Sequence, residues 1–329
     1  MNITLLGAGA WGTALSIAFA NTHQVTLWSR EADVAVDLRE HRKNTRFFPG
    51  FLLPDSVVVE TDFAQSLASA DLAIIATPIA GLRPTVERLK SLGCQLPVLW
   101  VCKGFEAGSG KLPHQVVQEI LGADAVFGAL SGPSFAEEVA SGQPTAVALA
   151  ANDANFAREA ARALHAGRLR IYANEDLVGV EVGGAVKNVM AIATGICDGL
   201  ALGLNSRAAL MTRGLAEIAR LGVALGAQRQ SFMGLAGMGD LILTCTGDLS
   251  RNRKVGLALA SGKPLDRILE DLGHVAEGVY TARETDRLAA SLGVEMPISA
   301  AVAAILDGRM SAVEALDQLM ARDPKEELA

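Results

Sequence analysis

The sequence predicts an α/β fold: a doubly wound parallel sheet followed by an all-α second half. Two observations carry this prediction. Up to Asn174, short apolar runs alternate with longer amphipathic segments, the rhythm of strand and crossover helix. From Leu177 to Ala321 the periodicity is almost entirely helical, punctuated by Gly and Pro. Composition agrees, since half of the 329 residues are hydrophobic while aromatics make up only 5%, a balance that disfavours an all-β sandwich.

Strands are expected at Ile3–Leu6, Val25–Trp28, Val57–Val59, Leu72–Ala76, Val98–Val101, Val126–Leu130, Ala146–Leu149 and Leu169–Tyr172. Helical stretches such as Thr13–Ala20, Leu82–Leu92 and Asp153–Ala166 lie between them. The second half offers helices at Val178–Cys197, Arg207–Leu225, Arg251–Ser261, Val279–Leu292, Ile298–Leu306 and Ser311–Met320. No repeat or low-complexity linker separates the halves, so the chain divides into 1–176 and 177–329 by a direct run into a long helix.

Charge and cysteine usage narrow the function classes. With 29 Lys and Arg against 36 Asp and Glu, the net charge is −7, which lacks the broad basic footprint of a duplex-binding protein. Cys94, Cys102, Cys197 and Cys245 form no C-x-x-C pair and have no histidine at ligand spacing, so they read as reduced thiols rather than disulfides or metal ligands. Residues 1–20 carry no charge, and Ala18-Phe19-Ala20 imitates a cleavage site. No Lys or Arg precedes that stretch, however, and three glycines interrupt it, so a signal peptide is not expected. The chain is expected to be soluble and cytoplasmic.

Gly7-Ala8-Gly9-Ala10-Trp11-Gly12 is a G-x-G-x-x-G loop between the first strand and a helix-like run. In that context Gly7 makes the tight turn, Gly9 admits a pyrophosphate to bare backbone, and Gly12 lets helix and strand pack closely. The helix N-terminus then offers unpaired N–H groups and partial positive charge to the phosphates. This is the dinucleotide-binding arrangement of a Rossmann-type domain. At the end of the second strand, Ser29 and Arg30 are suited to a ribose 2′-phosphate, whereas Glu31 and Asp33 are suited to a free hydroxyl. The reading leans to NADP(H) and leaves NAD(H) open.

Six segments carry a resemblance to a known family. They are the glycine loop continued through Thr13-Ala14-Leu15; Lys103-Gly104-Phe105-Glu106; Ser131 through Glu138; Gly183-Gly184-Ala185-Val186-Lys187-Asn188-Val189; Gly237 through Thr246; and Ser250-Arg251-Asn252-Arg253. In order and spacing they resemble the bacterial NAD(P)-dependent glycerol-3-phosphate dehydrogenases, from residue 3 to about 310. The resemblance implies interconversion of dihydroxyacetone phosphate and sn-glycerol 3-phosphate, supplying phospholipid synthesis. It also implies roles. Lys187 exchanges the proton at the reacting oxygen. Lys103, Gly132, Ser134, Asp240, Ser250, Arg251 and Asn252 line the substrate site, with Asn188 and Thr244 beside them. Ala10, Trp11, Arg30, Lys103, Ala136, Arg251, Val275 and Glu277 touch the nucleotide. Some relatives carry Ser at the position of Ala10, which removes a side-chain bond but leaves the backbone donors.

The residue types suit ketone reduction. Negative charge grows on the carbonyl oxygen as hydride arrives, so a positioned ammonium can stabilise it and then release a proton. Lys187 lies among Val186, Val189, Met190 and Ile192, which should strip water from the amine and lower its pKa. On a helix it shares a face with Thr194 and Asp198, which are expected to orient it. Asp240 follows a Gly-Met-Gly bend and can reach the substrate hydroxyls or Lys187; helix capping is the plainer role for it. Ser250-Arg251-Asn252 opens a helix and offers a guanidinium, hydrogen bonds and helix N–H groups to a phosphate; a capping Ser with an exposed Arg is again the plainer reading. Lys103 and Ser131-Gly132-Pro133-Ser134 follow strands, at the edge where open α/β sheets bind ligands.

His23, His41, His114, His165 and His274 stand alone in polar or loop contexts, so none is expected to be catalytic. No G-x-S-x-G elbow and no G-K-[ST] ending supports a hydrolase or a nucleotide triphosphatase. Two alternatives stay open. One is a β-hydroxyacid dehydrogenase of similar architecture. The other is a non-catalytic NAD(P)-binding module, which has no use for Lys187, Asp240 and Arg251 together. Apolar helices such as Ala300–Leu306 are suited to pack a homodimer.

Overall fold

The structure, a computed structural model, describes residues 1–272 and 276–323. It opens with β1 (Asn2–Leu6), α1 (Ala10–Phe19), β2 (Gln24–Trp28) and α2 (Ala32–Glu40). A small antiparallel hairpin, β3 (Lys43–Asn44) and β4 (Phe48–Leu52), precedes β5 (Val58–Glu60), α3 (Phe63–Leu67) and β6 (Leu72–Ile75). Then come α4 (Leu82–Ser91), β7 (Val98–Trp100), α5 (Pro113–Leu121), β8 (Phe127–Ser131) and α6 (Ala136–Ala140). The sheet half ends with β9 (Thr145–Ala151), α7 (Ala154–Ala163) and β10 (Leu169–Asn174).

One sheet joins eight of these strands in the order β10-β9-β8-β7-β6-β1-β2-β5. The chain leaves β1 toward β2 and β5, then returns to β6 on the other side. The crevice at the carboxyl ends of β1 and β6 is therefore the switch point where such sheets take ligands. Alternation along the strands builds two cores. Ile3, Leu5, Leu27, Ile74 and Leu99 face α1, α2 and α7, while Leu6, Ile75, Val98 and Trp100 face α4 and α5. Helices thus cover both faces, as the near-continuous apolar strands require.

Two features depart from an all-parallel sheet. β9 runs antiparallel to β8, and β10 pairs parallel with β9, so the last two strands are reversed. The physical reason is the link between β8 and β9, whose only helix is the short α6. It returns the chain along the same edge instead of crossing a face. The β3–β4 hairpin is the second departure, absent from the expected elements, and it supports the glycine loop from outside. Buried Asn44 donates to Ala8 O at 2.7 Å and to Thr13 Oγ1 at 2.8 Å.

The helical half comprises α8 (Leu177–Gly199), α9 (Gly203–Ala224), α10 (Asp240–Thr246), α11 (Arg251–Ala260), α12 (Leu265–Leu272), α13 (Glu277–Leu292), α14 (Pro297–Leu306) and α15 (Ala312–Met320). Its core forms around α8, where Val182, Val186, Val189, Met190 and Ile192 are fully buried. Each such apolar side chain contributes about 1.5–3 kcal/mol when fully buried. Among the described residues α8 alone is long and apolar enough to cross a membrane, and 89% of that stretch is buried inside the protein. Asp176 caps α8, accepting from Gly179 N at 2.9 Å.

α8 and α11 cross with their backbones in contact. A Cβ at Gly195 would stand 2.1 Å from Arg253 O, and one at Gly256 would stand 2.1 Å from Ile192 O. These two glycines and Gly199, where a Cβ would stand 2.5 Å from Ala260 Cβ, permit this approach.

Candidate active site

The glycine loop meets its geometric demands. Gly7 adopts φ +129°, and a Cβ there would lie 2.9 Å from Ala76 O at the end of β6. A Cβ at Gly12 would lie 2.0 Å from Gly7 O, so only glycine lets α1 begin against the turn. Gly9 has no atom within 4 Å of its missing Cβ, so its backbone opens onto free space. It is also the N-cap of α1, with no side-chain cap and no acidic residue in the first turn. A diphosphate fits that cradle by shape and by partial charge. Ala10 and Trp11 are half-buried in the first turn of α1, and α6, which starts at Ala136, packs on α1.

At the end of β2 the two candidate ribose-phosphate residues differ in placement. Arg30 is exposed and forks onto its neighbour, placing Nη2 2.9 Å from Glu31 Oε1. Ser29 corrects the sequence reading: it is fully buried and its hydroxyl donates to Glu31 O at 3.0 Å, so it is turned inward and already partnered.

The carboxyl ends of β7 and β8 bring Lys103, Ser131, Gly132 and Ser134 to one edge. The Lys103 ammonium lies 3.4 Å from Gly132 O, which also accepts from the Ser134 hydroxyl at 2.9 Å. From the helical half, a single π-helical turn (Leu235–Gly239) runs directly into α10 and aims Asp240 inward. Such turns recur at functional sites because they redirect one side chain.

Asp240 is buried and serves both halves. Its Oδ1 accepts from Lys187 Nζ at 2.5 Å and its Oδ2 from Lys103 Nζ at 2.6 Å. Lys187 also donates to Thr244 Oγ1 at 2.8 Å. Burial is the largest influence on the Lys187 amine and, with the neighbouring Lys103 cation, brings its pKa down to about 8 against the pull of Asp240. Thr194 and Asp198 do not orient it, contrary to the helix-face expectation. Thr194 donates to Ala191 O at 3.0 Å, and Asp198 is held by Arg253 at 2.8 Å and Arg207 at 3.1 Å. The lysine reaches across to α10 rather than along its own helix.

Beside this cluster lies a second polar group. Asn252 Nδ2 donates to Asn188 Oδ1 at 3.0 Å, and Asn252 Oδ1 accepts from Gly278 N at 3.0 Å. Ser250 is the N-cap of α11, accepting from Arg253 N at 3.3 Å, so its plainer reading is realised. Arg251 is exposed on the first turn and makes no hydrogen bond or ion pair with another described residue. Glu277, half-buried at the start of α13, has its carboxyl pKa pushed up by burial against the opposing charges of Arg251, Lys103 and Lys187. Val275 and His274 lie outside the described residues.

Sequence reasoning names Asp240, Lys103 and Thr244 but misses some of the supporting partners around them. Asn44 was unforeseen, and the histidine expectation needs a correction. His114 is not alone: it pairs with buried Glu181, and His41 lies 3.2 Å from Asp37. The latter has a local i,i+4 signal, whereas the former has none. All four cysteines are free. Three are buried, and burial pushes the Cys245 thiol up to about 12.

A glycine-loop sheet joined to a helical half that places a buried amine at the sheet's carboxyl edge defines a two-part, nicotinamide-nucleotide-dependent oxidoreductase. Comparison with known proteins makes this particular. Residues 2–157 match the family model for the N-terminus of NAD-dependent glycerol-3-phosphate dehydrogenase, and residues 176–317 match the model for its C-terminus. The chain belongs to this family. A glycerol-3-phosphate dehydrogenase [NAD(P)+] of Dechloromonas aromatica is 80% identical over the whole of both chains. That of Aromatoleum aromaticum is 58% identical over 99% of this chain and 100% of its own. The crystal structure of glycerol-3-phosphate dehydrogenase from Coxiella burnetii superposes with a TM-score of 0.92 at 39% identity, covering 98% of this chain and 99% of that one.

Proposed function

We propose that this chain interconverts dihydroxyacetone phosphate and sn-glycerol 3-phosphate with NADP(H) or NAD(H), with Lys187 exchanging the proton. The observation that carries the reading is the buried Lys187 amine, held on Asp240 beside Lys103 and brought down to a pKa of about 8. An amine titrating near working pH can act as acid in one direction and base in the other.

Gly7, Gly9, Gly12, Ala10 and Trp11 would hold the dinucleotide, with Ala136, Glu277 and Val275 around it and Arg30 at its ribose. When bound, the nicotinamide supplies or accepts hydride. The chain does the rest. Lys187 donates a hydrogen bond to the substrate oxygen and then its proton, and in the reverse direction it takes that proton back. Asp240 and Thr244 fix the amine, and Lys103 adds positive charge where the oxygen becomes negative. Arg251, with Ser250, Asn252 and the α11 N-terminus, takes the phosphate. Gly132, Ser134 and Asn188 contribute donors and acceptors along the triose.

The division into 1–176 and 177–329, a homodimer, a cytoplasmic setting and supply of phospholipid synthesis belong to the same reading. Loss of nicotinamide absorbance on mixing the protein with NADPH and dihydroxyacetone phosphate tests it, and an NADH arm reports cofactor preference. Turnover of a 3-hydroxy acid with none of the phosphorylated ketone would favour a β-hydroxyacid dehydrogenase. Cofactor binding without turnover would favour a sensing module.

A further inference from the structure

The loop between β7 and α5 carries Lys103; Arg83 of α4 holds its Glu106 at 2.7 Å on the sheet side, and the rest of the loop is tied into the helical half. Phe105 and Leu112 are buried in the core around α8. Gly108 donates from its N–H to Glu284 at 3.0 Å and accepts from Arg287 at 2.8 Å, both on α13. At the far end of the loop, α5 begins with Leu112 at its N-cap, a residue with no side-chain acceptor. Its helix N–H groups need partners. Gln115 takes that of Leu112 at 2.9 Å. Glu181 of α8 takes that of His114 at 2.8 Å, and its other oxygen contacts His114 Nδ1.

Glu181 is therefore a cap supplied from outside the helix it caps. Its side chain is only 2% exposed, and burying a carboxylate is costly unless it is hydrogen-bonded. A local Ser or Asp at the N-cap would satisfy the same N–H group in solvent. What the distant carboxylate adds is a tie between the Lys103 loop and the helix that carries Lys187. One carboxylate, Asp240, joins the two lysines at their tips; the other joins the two segments at their base.

We propose that Glu181 is a positioning residue for the reaction: with His114 it holds the Lys103 loop against α8, so that Lys103 stays beside Lys187 on Asp240. The proposal rests on the catalytic reading of Lys187. The groups facing Lys187 are Asp240 and Cys245 on α10, Lys103 on the loop and Glu277 on α13, with Arg251 on α11 facing Glu277. Those facing Glu181 are His114 and Cys102. Of these, the nearby cation Lys103 is the one the clamp controls, and a nearby cation lowers an amine's pKa.

The test uses Glu181→Ala, Glu181→Gln and His114→Ala in the full chain. Gln keeps an oxygen for His114 N and an amide toward Nδ1. Two readouts are taken: steady-state kinetics, and the pH midpoint for labelling of Lys187 by an amine-reactive reagent, read by mass spectrometry. In Glu181→Ala, kcat/KM for dihydroxyacetone phosphate should fall by up to ~10²-fold, the effect of misplacing a group by about an ångström, with KM for NADPH unchanged. The labelling midpoint should move above about 8. His114→Ala keeps the backbone bond and should fall between, while Glu181→Gln should restore both readouts. A folded Glu181→Ala, or His114→Ala should the first not fold, with unchanged kcat, KM and labelling midpoint overturns the proposal. Absence of turnover in the unaltered protein refutes the assigned reaction, and the labelling midpoints still decide the clamp.

Discussion

Lys103 and Lys187 come from opposite halves of the chain and donate to the two oxygens of one carboxylate, Asp240. Two ammonium groups so close repel, and the shared acceptor offsets that repulsion. Asp240 raises the affinity of Lys187 for its proton, whereas burial and Lys103 lower it. Asp240→Asn should therefore move the titration of Lys187 below about 8. The pH profile of ketone reduction reads this directly, and an unmoved or alkaline-shifted limb would contradict the pairing.

In the unaltered protein the two directions of reaction should have opposite pH dependences. With Lys187 as the proposed acid, reduction uses the ammonium, so its rate should be full below about 8 and fall above that. Oxidation of glycerol 3-phosphate needs the free amine and rises through the same region. Pre-steady-state rates in both directions, measured across roughly pH 6–10, check the crossing.

Lys187→Ala should lower turnover by ~10²–10⁴-fold, the usual contribution of a positioned general acid. NADPH affinity, followed by nicotinamide fluorescence, should be nearly unchanged because the glycine loop is untouched. Near-normal turnover would remove Lys187 from its role.

Arg251→Ala should raise KM for dihydroxyacetone phosphate and leave weak turnover of unphosphorylated dihydroxyacetone as it was. The expected loss is about 1.5–3 kcal/mol, the range for hydrogen bonds to a charged group. Equal losses on both ketones would place Arg251 elsewhere than at the phosphate.

Gly9→Ala and Gly12→Ala should separate binding from folding. The added methyl at Gly9 meets only open space, so thermal stability should hold while cofactor affinity drops. At Gly12 it would overlap Gly7 O, so stability should fall as well. Paired melting curves and NADPH titrations distinguish the two.

What could be read from sequence follows the range of each signal. The glycine loop, the long apolar helix around Lys187 and the cap Ser250 are local patterns, and each stands where its pattern put it. Thr194 and Asp198 fail as partners of Lys187 because a helix-face argument sees only i,i+3 and i,i+4 neighbours, whereas its four-carbon side chain reaches Asp240 of α10, the partner that the Gly-Met-Gly bend suggests. The reversal of β9 was invisible because a short apolar run carries no direction. Glu181 and His114 meet only after the two halves dock, so neither bears a mark in its own neighbourhood.

The backbone contact between α8 and α11 fixes how closely the two helices stand. Asn188 and Lys187 ride on one helix and Arg251 and Asn252 on the other, and Gly195 and Gly256 leave no compressible side-chain layer between them. The separation of the two main chains is thus set by steric contact, like the fixed jaws of a gauge. A methyl at either glycine would push the helices apart and carry Lys187 and Asn188 away from Arg251 and Asn252.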